Sequence, residues 1–446
     1  MAAGGDFVTP VLWGSPWFEK PPLLYWMTAA GTFTGLSPEL CGRVPVTLLS
    51  LAFLGVSFWL LQREFGRSAA AISTLLLATS AAWLTYSELC LTDLPLAVFF
   101  ASAAFLSLPF LRPEPTRRLI HARFVLIGVC LALASLAKGL VPLALALPFA
   151  WFLRGFWRKW WLAAVSFLVV AAPWYLIVYA RNGSQFVDDF FWKHHVQRIY
   201  STSLQHVQPW YYYIPVLLAG LFPWTPLIGL LASRNLLADN RRRFLGSLFL
   251  IGFILFSVVL NKLPGYLLPL IPSLWSLIGA QFETKPFNQL HWLWLLPCTL
   301  LISTIPLLAR TLPEWLSRGK FQLLAIGFAP MHFVFLAVCL CAPFALRRSW
   351  AAALLILCVC AAGVYLKEKA YPVLDEEVSA RGLWRQIETL PGAVCNAGLD
   401  RAWQFGLAFY NGSPIPDCGL RRFDFGIRAR DHLRPVIERL KEKAGR

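Results

Sequence analysis

Long apolar segments, each of roughly 17 to 25 residues, recur from about residue 45 to about residue 366. A helix of that length crosses the hydrocarbon core of a bilayer, and in lipid only helices and closed barrels satisfy every backbone polar group. The chain is 58% hydrophobic and 14% charged, whereas a soluble domain carries about 25% charged residues. The sequence therefore predicts an all-α polytopic membrane protein and excludes a water-soluble globule.

About twelve transmembrane helices are predicted by the apolar segments. They lie near residues 45–61, 68–87, 91–110, 123–137, 139–153, 160–180, 210–231, 244–260, 265–281, 290–308, 322–346 and 349–366. Residues 1–44 form a predicted extracytoplasmic loop with juxtamembrane helices, residues 45–366 the transmembrane domain, and residues 181–209 a long loop within it. From Lys367 the composition turns to mixed charge, which predicts a small soluble α/β domain over residues 367–446, with a helix near Ala380–Leu390 and strands near Val394 and Phe405–Tyr410.

The formal net charge of +17 comes from short basic clusters between apolar segments. The clusters at residues 62–67, 112–123, 154–159, 234–243 and 347–348 all fall on one side of the predicted membrane. The positive-inside rule makes that side cytoplasmic. The N-terminal loop, the 181–209 loop and the C-terminal domain are then expected to face outward.

An outward N-terminal loop needs a segment to carry it across the membrane, and no signal peptide precedes residues 1–44. We therefore expect a further membrane helix upstream of this chain. The alternative is that the helix after the loop pulls a short N-terminus across unaided.

Most of the unusual polar residues fall on the predicted outward face, where charges near a membrane usually mark function. The candidates are Asp6, Glu19, Lys20, Glu88, Asp93, Lys138, His194, His195, Arg198, Lys262 and Tyr266. Converging cations suit a phosphate or pyrophosphate group, and carboxylates among them suit general base chemistry.

Several of these candidates also have a simpler interpretation. Lys20 and Lys138 could be interfacial lysines whose amines reach toward water, and Glu88 and Asp93 could be solvated helix ends. His194 and His195 could hold a metal, but neighbouring side chains diverge, which favours contact with solvent or a headgroup.

Eight of the ten cysteines lie in or beside apolar segments, where thiols behave as small hydrophobic groups. Cys395 and Cys418 instead fall in the polar tail. They either pair in an oxidising compartment or remain two buried thiols.

Several motifs stand in an order that resembles one family. They are Gly5–Pro10, Phe18–Leu23, Leu91–Leu96, Lys138–Gly139, Ala172–Leu176, His194–Arg198, Pro209–Tyr213 and Asn261–Tyr266. Together they resemble the bacterial ArnT-like, protein-mannosyltransferase-related glycosyltransferases of the GT-C fold, strongly over about residues 1–280. The family's first membrane helix and the acidic motif after it have no counterpart, which agrees with the expected upstream helix.

The resemblance implies a hexosyl- or pentosyltransferase of a bacterial inner membrane that moves a sugar from a polyprenyl-phosphate donor to lipid A or another periplasmic acceptor. It implies that Glu19 and Lys20 line the active site, that Asp93 is a site carboxylate, and that Lys20, Arg198 and Tyr266 hold the donor phosphate. We take Asp93 and Glu19 as catalytic candidates and the following as substrate-binding candidates: Lys20, Lys138, His195, Arg198, Lys262 and Tyr266.

No glycine-rich phosphate loop or dinucleotide-binding fingerprint occurs, which fits a lipid-linked donor better than a nucleotide sugar. No cofactor is expected, although a divalent metal is possible, and no nucleic acid partner is expected. Two alternatives are a lipid-phosphate transporter or flippase and an inactive truncated relative of the enzymes.

Overall fold

The computed structural model describes residues 1–2, 4–115, 119–197, 207–233, 236–283, 289–318, 330–345, 348–419, 423–430 and 433–440. Within these ranges only the backbone is described at residues 194–196, 289–293, 310, 314–318, 330–331, 342–345, 348–349, 430 and 433. The chain divides into two compact units, Met1–Cys298 and Thr299–Arg446. Each is considered by itself.

The first unit is helical apart from one short hairpin, as predicted. Its α-helices, numbered in chain order, are α1 (Leu23–Phe33), α2 (Arg43–Thr79), α3 (Ala81–Ser87), α4 (Asp93–Ser107), α5 (Ile120–Lys138), α6 (Val141–Leu145), α7 (Leu147–Phe152), α8 (Trp160–Phe186), α9 (Tyr213–Gly220), α10 (Asn240–Val258) and α11 (Ile271–Gly279). Tighter 3₁₀ turns occupy Leu108–Leu111, Arg154–Lys159, Trp210–Tyr212, Thr225–Ala232, Pro264–Leu270 and Ala280–Phe282, and a π-helix occupies Val187–Val196. Helix α12 (Gln289–Arg318) crosses the boundary between the units.

Within the described residues, five helices are long and apolar enough to cross a membrane, and a sixth span forms if one bent pair is counted. The bent pair joins Trp210–Gly220 to Thr225–Ala232 at 110° and lies in the segment predicted at 210–231. Helix α2 covers the predicted segment 45–61 and the first part of the segment 68–87. It breaks at Gly66, whose φ of 81° is accessible to glycine because glycine has no Cβ. The structure is thus a multi-pass membrane protein, and the total of about twelve spans stays a prediction.

The span that begins with α4 lies at the centre of the first unit. Of its apolar window, Asp93–Leu111, 83% is buried, whereas the other four spans are 22–44% buried. Helix α5 packs against both α4 and α8. At Gly128 the α5 backbone comes so close to α8 that an added Cβ would lie 2.2 Å from the carbonyl oxygen of Ala163, the close approach that small residues permit between membrane helices.

The hairpin lies at the N-terminal end, where β1 (Val11–Leu12) pairs antiparallel with β2 (Ser15–Pro16). Trp13 and Gly14 form its tip with φ angles of 53° and 82°. A two-residue turn with both angles positive matches the twist of the strands it joins. The hairpin leads directly into the Glu19-Lys20 segment and then α1.

The second unit contains α13 (Pro330–Ala345), α14 (Arg348–Glu377), α15 (Ala380–Glu388) and α16 (Arg401–Asn411). A three-stranded sheet has the order β3-β4-β5, with β3 (Val394–Asn396) parallel to β4 (Phe425–Arg430) and β5 (Leu433–Arg439) antiparallel to β4. Its apolar core is formed by Leu383, Ile387, Leu399, Leu407 and Ile427. The predicted helix at 380 and strand at 394 are confirmed.

The strand predicted at Phe405–Tyr410 is wrong, because this segment belongs to α16. The carboxylate of Asp400 caps the helix by accepting a hydrogen bond from the backbone N–H of Trp403. Gly412 ends it in the left-handed conformation with φ 76°, a common helix terminator. These end signals outweigh the aromatic residues that suggested a strand.

Candidate active site

An ion pair joins the ends of two neighbouring helices, α4 and α5. Asp93 is the first residue of α4 and Lys138 is the last residue of α5. The Lys138 Nζ lies 2.5 Å from Asp93 Oδ1, and the two side chains are 10% and 14% exposed, respectively. An acid at a helix start and a base at a helix end are each favoured by the helix dipole. The predicted catalytic Asp93 and substrate-binding Lys138 therefore share one site.

The end of α5 is held in place by a local turn. Gly139 has a φ of 69°, and its N–H donates to the Ser135 carbonyl at 2.7 Å. The Ser135 hydroxyl in turn donates to the Gly139 carbonyl at 2.9 Å. Residues that carry a side chain rarely adopt this backbone angle. Glycine therefore lets the chain turn immediately after Lys138.

Tyr266 completes this part of the site from a third segment. The Lys138 ammonium lies 4.3 Å from the centre of the Tyr266 ring, within the range of a cation–π contact. The hydroxyl of buried Tyr213 donates to the Leu263 carbonyl at 3.2 Å. This hydrogen bond holds the backbone three residues before Tyr266. Sequence reasoning missed Tyr213, although its Pro209–Tyr213 motif had been noted.

Lys262 lies in the same segment and is 3% exposed. Its Nζ donates to the carbonyl of Gln208 at 2.9 Å, which ties residues 207–208 to residues 260–262. Burial lowers the pKa of the Lys262 amine. A cavity of about 490 Å³ opens beside it and is lined by Gln208, Pro209, Trp210, Ile214, Phe253, Ile254, Ser257, Val258, Leu260 and Lys262.

Glu19 and Lys20 lie between the hairpin and α1. The Lys20 Nζ is 3.1 Å from Glu19 Oε1, and the side chains are 24% and 27% exposed, respectively. Helix α1 packs against α2 and against α5, the helix that carries Lys138. The two residues are therefore partly shielded and remain open to a ligand from solvent.

The two remaining predicted site residues lie beyond the described side chains. His195 has its backbone in the π-helix Val187–Val196, and its side chain is outside the described part. Arg198 lies wholly outside the described residues. Both stay predictions.

Asp6 fastens the N-terminal segment. Its Oδ1 accepts from the backbone N–H groups of Val8 and Thr9 at 2.8 and 3.3 Å and lies 3.1 Å from Arg181 Nη1. The hydrogen bond from Val8 is the main reason that the pKa of Asp6 lies below its ordinary value. Thr9 and Arg181 lower this pKa further, and partial burial opposes the shift. Trp174 of α8 adds a hydrogen bond to the Val8 carbonyl. This arrangement anchors the strand that leads to Glu19 and Lys20.

A second charged cluster, which sequence reasoning missed, joins basic loops predicted on the opposite side. Glu64, whose side chain is 2% exposed, accepts from Arg112 Nε at 2.8 Å and from Arg112 Nη2 at 2.9 Å. Arg241 donates to the Glu64 backbone carbonyl and pairs with Asp239 at 2.7 Å and with Glu283 at 3.3 Å. The segments with Glu64, Arg112 and Arg241 thus meet at one place.

No group of three or more His, Cys, Asp or Glu side chains in the described part of the chain is arranged to hold a metal ion. The second unit contains a Cys395–Cys418 disulfide with a Cα–Cα distance of 4.9 Å. It decides between the two alternatives left open by the sequence, in favour of pairing.

Comparison with known proteins places these features in a group. The profile of the family "Dolichyl-phosphate-mannose-protein mannosyltransferase" matches residues 1–214. An undecaprenyl phosphate-alpha-4-amino-4-deoxy-L-arabinose arabinosyl transferase of Pseudomonas aeruginosa (strain UCBPP-PA14) is 29% identical over 297 residues, covering 63% of this chain and 52% of the relative. The protein of the same name from Erwinia tasmaniensis is 30% identical over 298 residues, with the same coverage. The chain thus spans about half the length of the curated relatives it matches.

Solved structures give the same fold. The crystal structure of ArnT from Cupriavidus metallidurans bound to undecaprenyl phosphate aligns with a TM-score of 0.75 at 24% identity, covering 97% of this chain and 80% of that chain. The fold and the long apolar helices therefore define a multi-pass membrane protein with the GT-C fold. Within that class the chain is similar to ArnT, and this similarity confirms the resemblance predicted from its motifs.

Proposed function

We propose that this protein is a glycosyltransferase that moves a sugar from a polyprenyl-phosphate donor to a lipid A-like or other periplasmic acceptor. The observation that carries the proposal is the ion pair of Asp93 and Lys138 beneath the ring of Tyr266. It brings a carboxylate, a cation and a phenol from three separate segments to one place. The names of the relatives and the bound ligand of the Cupriavidus ArnT support the substrate class.

In the proposed reaction the acceptor oxygen forms a bond to the anomeric carbon of the sugar while the bond from that carbon to the phosphate oxygen breaks. The acceptor proton passes to a carboxylate, for which Asp93 and Glu19 are the candidates. The electron pair of the broken bond leaves with the polyprenyl phosphate. Cations and hydroxyl donors stabilise this developing charge, and the proposed donor-binding residues are Lys20, Arg198 and Tyr266.

The remaining candidates have supporting roles in this proposal. Lys138 holds the Asp93 carboxylate at a fixed position, since its amine contacts both Asp93 and Tyr266. Lys262 shapes the segment before Tyr266 through Gln208 and lies on the rim of the apolar cavity. His195 is a further proposed substrate contact.

We place the site on the periplasmic side of a bacterial inner membrane. The positive-inside pattern supports this orientation. The Cys395–Cys418 disulfide supports an outward position of the second unit, because disulfides persist in oxidising compartments and are rare in the cytosol. Reaction of single introduced cysteines with an impermeant maleimide in intact cells, one at residue 412 and one at residue 155, tests the orientation. Labelling at 412 and protection at 155 are expected, and the reverse pattern would overturn it.

Transfer of a radiolabelled sugar from a panel of polyprenyl-phosphate donors in proteoliposomes tests the activity. The wild-type chain is compared with Lys20→Ala and with Lys159→Ala, a matched lysine that contacts His121 in one of the basic loops. Transfer that is lost with Lys20→Ala and kept with Lys159→Ala is the expected result. Equal transfer by all three would contradict the role of Lys20. No transfer from folded protein with any donor would contradict the proposal, and movement of a fluorescent polyprenyl phosphate across the bilayer would then favour a flippase.

A further inference from the structure

Gly265 is the residue immediately before Tyr266, and it is buried in the turn Pro264–Leu270. A Cβ built on it would lie 2.6 Å from Asp93 Oδ1 and 2.8 Å from Asp93 Cγ. It would also lie 2.7 Å from the Tyr86 hydroxyl. Real Cβ atoms essentially never approach other atoms this closely. The bare backbone of Gly265 therefore forms the wall against which the Asp93 carboxylate rests.

The atom that meets this wall is the one that carries the ion pair. Asp93 Oδ1 lies 2.5 Å from Lys138 Nζ, so displacement of this oxygen from the wall lengthens or rotates the pair. Tyr266, the next residue in the chain, touches the other member of the pair through its ring. The dipeptide Gly265-Tyr266 thus contacts both Asp93 and Lys138.

Backbone freedom does not account for this glycine. Its φ lies outside the positive range that alanine avoids, unlike the φ of Gly139. Lack of space alone means that Asp93 or Tyr86 must shift if residue 265 carries a Cβ. The effect of a methyl group at this position therefore reports the packing between the Gly265 turn and the carboxylate.

We infer that Gly265 is a positioning residue that sets the location of the Asp93 carboxylate, and with it the reactive geometry of the site. The part of the inference that concerns turnover rests on the proposed function. The part that concerns packing does not, since it follows from the Gly265 contacts with Asp93 and Tyr86.

The packing is tested by thermal unfolding of four detergent-solubilised proteins: wild type, Gly265→Ala, Asp93→Ala and the double variant. Gly265→Ala is expected to lower the Tm by a few degrees, because the added methyl overfills the site. In the Asp93→Ala background the carboxylate is gone and the Tyr86 hydroxyl is the remaining close contact, so the same methyl is expected to cause a clearly smaller loss. Equal losses in both backgrounds would overturn the inference.

Turnover is tested by kcat and KM for the donor, with Gly55→Ala as the matched control because open space surrounds Gly55 in α2. Gly265→Ala is expected to lower kcat by about a hundredfold, the cost of a displacement of about 1 Å, with little change in KM. Gly55→Ala is expected to behave as wild type. A wild-type kcat for Gly265→Ala, or a loss confined to KM, would overturn the positioning role. If wild type itself transfers no sugar, the proposed function fails, and the Tm comparison still decides the packing.

Discussion

Lys138 and Asp93 are 45 residues apart in the chain, yet their charged atoms lie 2.5 Å apart. Helices α4 and α5 run in opposite directions, so the start of one and the end of the other meet at the same end of the unit. Both side chains are largely buried. A buried pair of this kind depends on both partners, because removal of one leaves the other charge uncompensated.

Lys138→Met is therefore expected to lower the free energy of unfolding by about 3 kcal/mol, as for other broken buried pairs. Asp93→Asn together with Lys138→Met is expected to recover part of that loss, because no isolated charge remains. Denaturant unfolding in mixed micelles measures both changes, and Lys159→Met is the control. A double variant whose loss of unfolding free energy equals or exceeds the sum of the losses of the two single variants would contradict the account.

The Glu64 cluster is expected to matter for stability and not for turnover. Glu64→Gln removes the charge that Arg112 binds through two nitrogens, and we expect a loss of about 3 kcal/mol by the same reasoning. The kcat of the folded protein is expected to stay within about twofold of wild type. Tm and transfer measured on one preparation check both statements. A folded Glu64→Gln protein without activity would show that the cluster has a role beyond folding.

Apolar segment length predicted the helical membrane architecture because that pattern is local and strong. The charge pattern likewise grouped Glu64, Arg112 and Arg241 with one set of loops and Asp93, Lys138 and Tyr266 with another. Which members of a group touch depends on helix register, and sequence spacing does not give it. The pairing of Glu64 with Arg112, 48 residues away, was therefore missed.

Gly265 shows the same limit more sharply. In the sequence it is part of the Asn261–Tyr266 motif, and nothing local indicates that its neighbour in space is a carboxylate from α4. The error at Phe405–Tyr410 has a different origin. Aromatic residues suit both strands and buried helix faces, and the deciding signals were Asp400 and Gly412 at the two ends.

The Cys395–Cys418 disulfide is expected to stabilise the second unit. It joins residues 23 apart, and a loop of that size corresponds to about 3 kcal/mol in the chain-entropy account. Replacing both cysteines with serine is expected to make residues 380–440 more susceptible to protease in the full-length protein. Cys341→Ser, which alters an exposed free thiol, is the control. Equal protease resistance in all forms would contradict the prediction.

Because of Lys262, the stability of the folded protein is expected to change with pH in the alkaline range. Burial lowers the pKa of Lys262 in the folded protein from the ordinary lysine value of 10.5, so between the lowered pKa and 10.5 the unfolded chain binds more protons. Stability in that window rises with pH. The Tm of wild type is therefore expected to increase relative to that of Lys262→Met as pH approaches 10. A difference that is constant across this range would contradict the lowered pKa.

The most direct test of the central claim is single-turnover sugar transfer by Asp93→Asn, with Glu64→Gln as a matched carboxylate from the other cluster. The account predicts that Asp93→Asn lowers the rate of the transfer step by at least about a hundredfold, the range for loss of a catalytic base, while polyprenyl-phosphate binding persists. Glu64→Gln is predicted to keep the wild-type rate once folded. A wild-type rate with Asp93→Asn would contradict the proposal that Asp93 is a catalytic carboxylate and would leave Glu19 as the candidate for the proton acceptor.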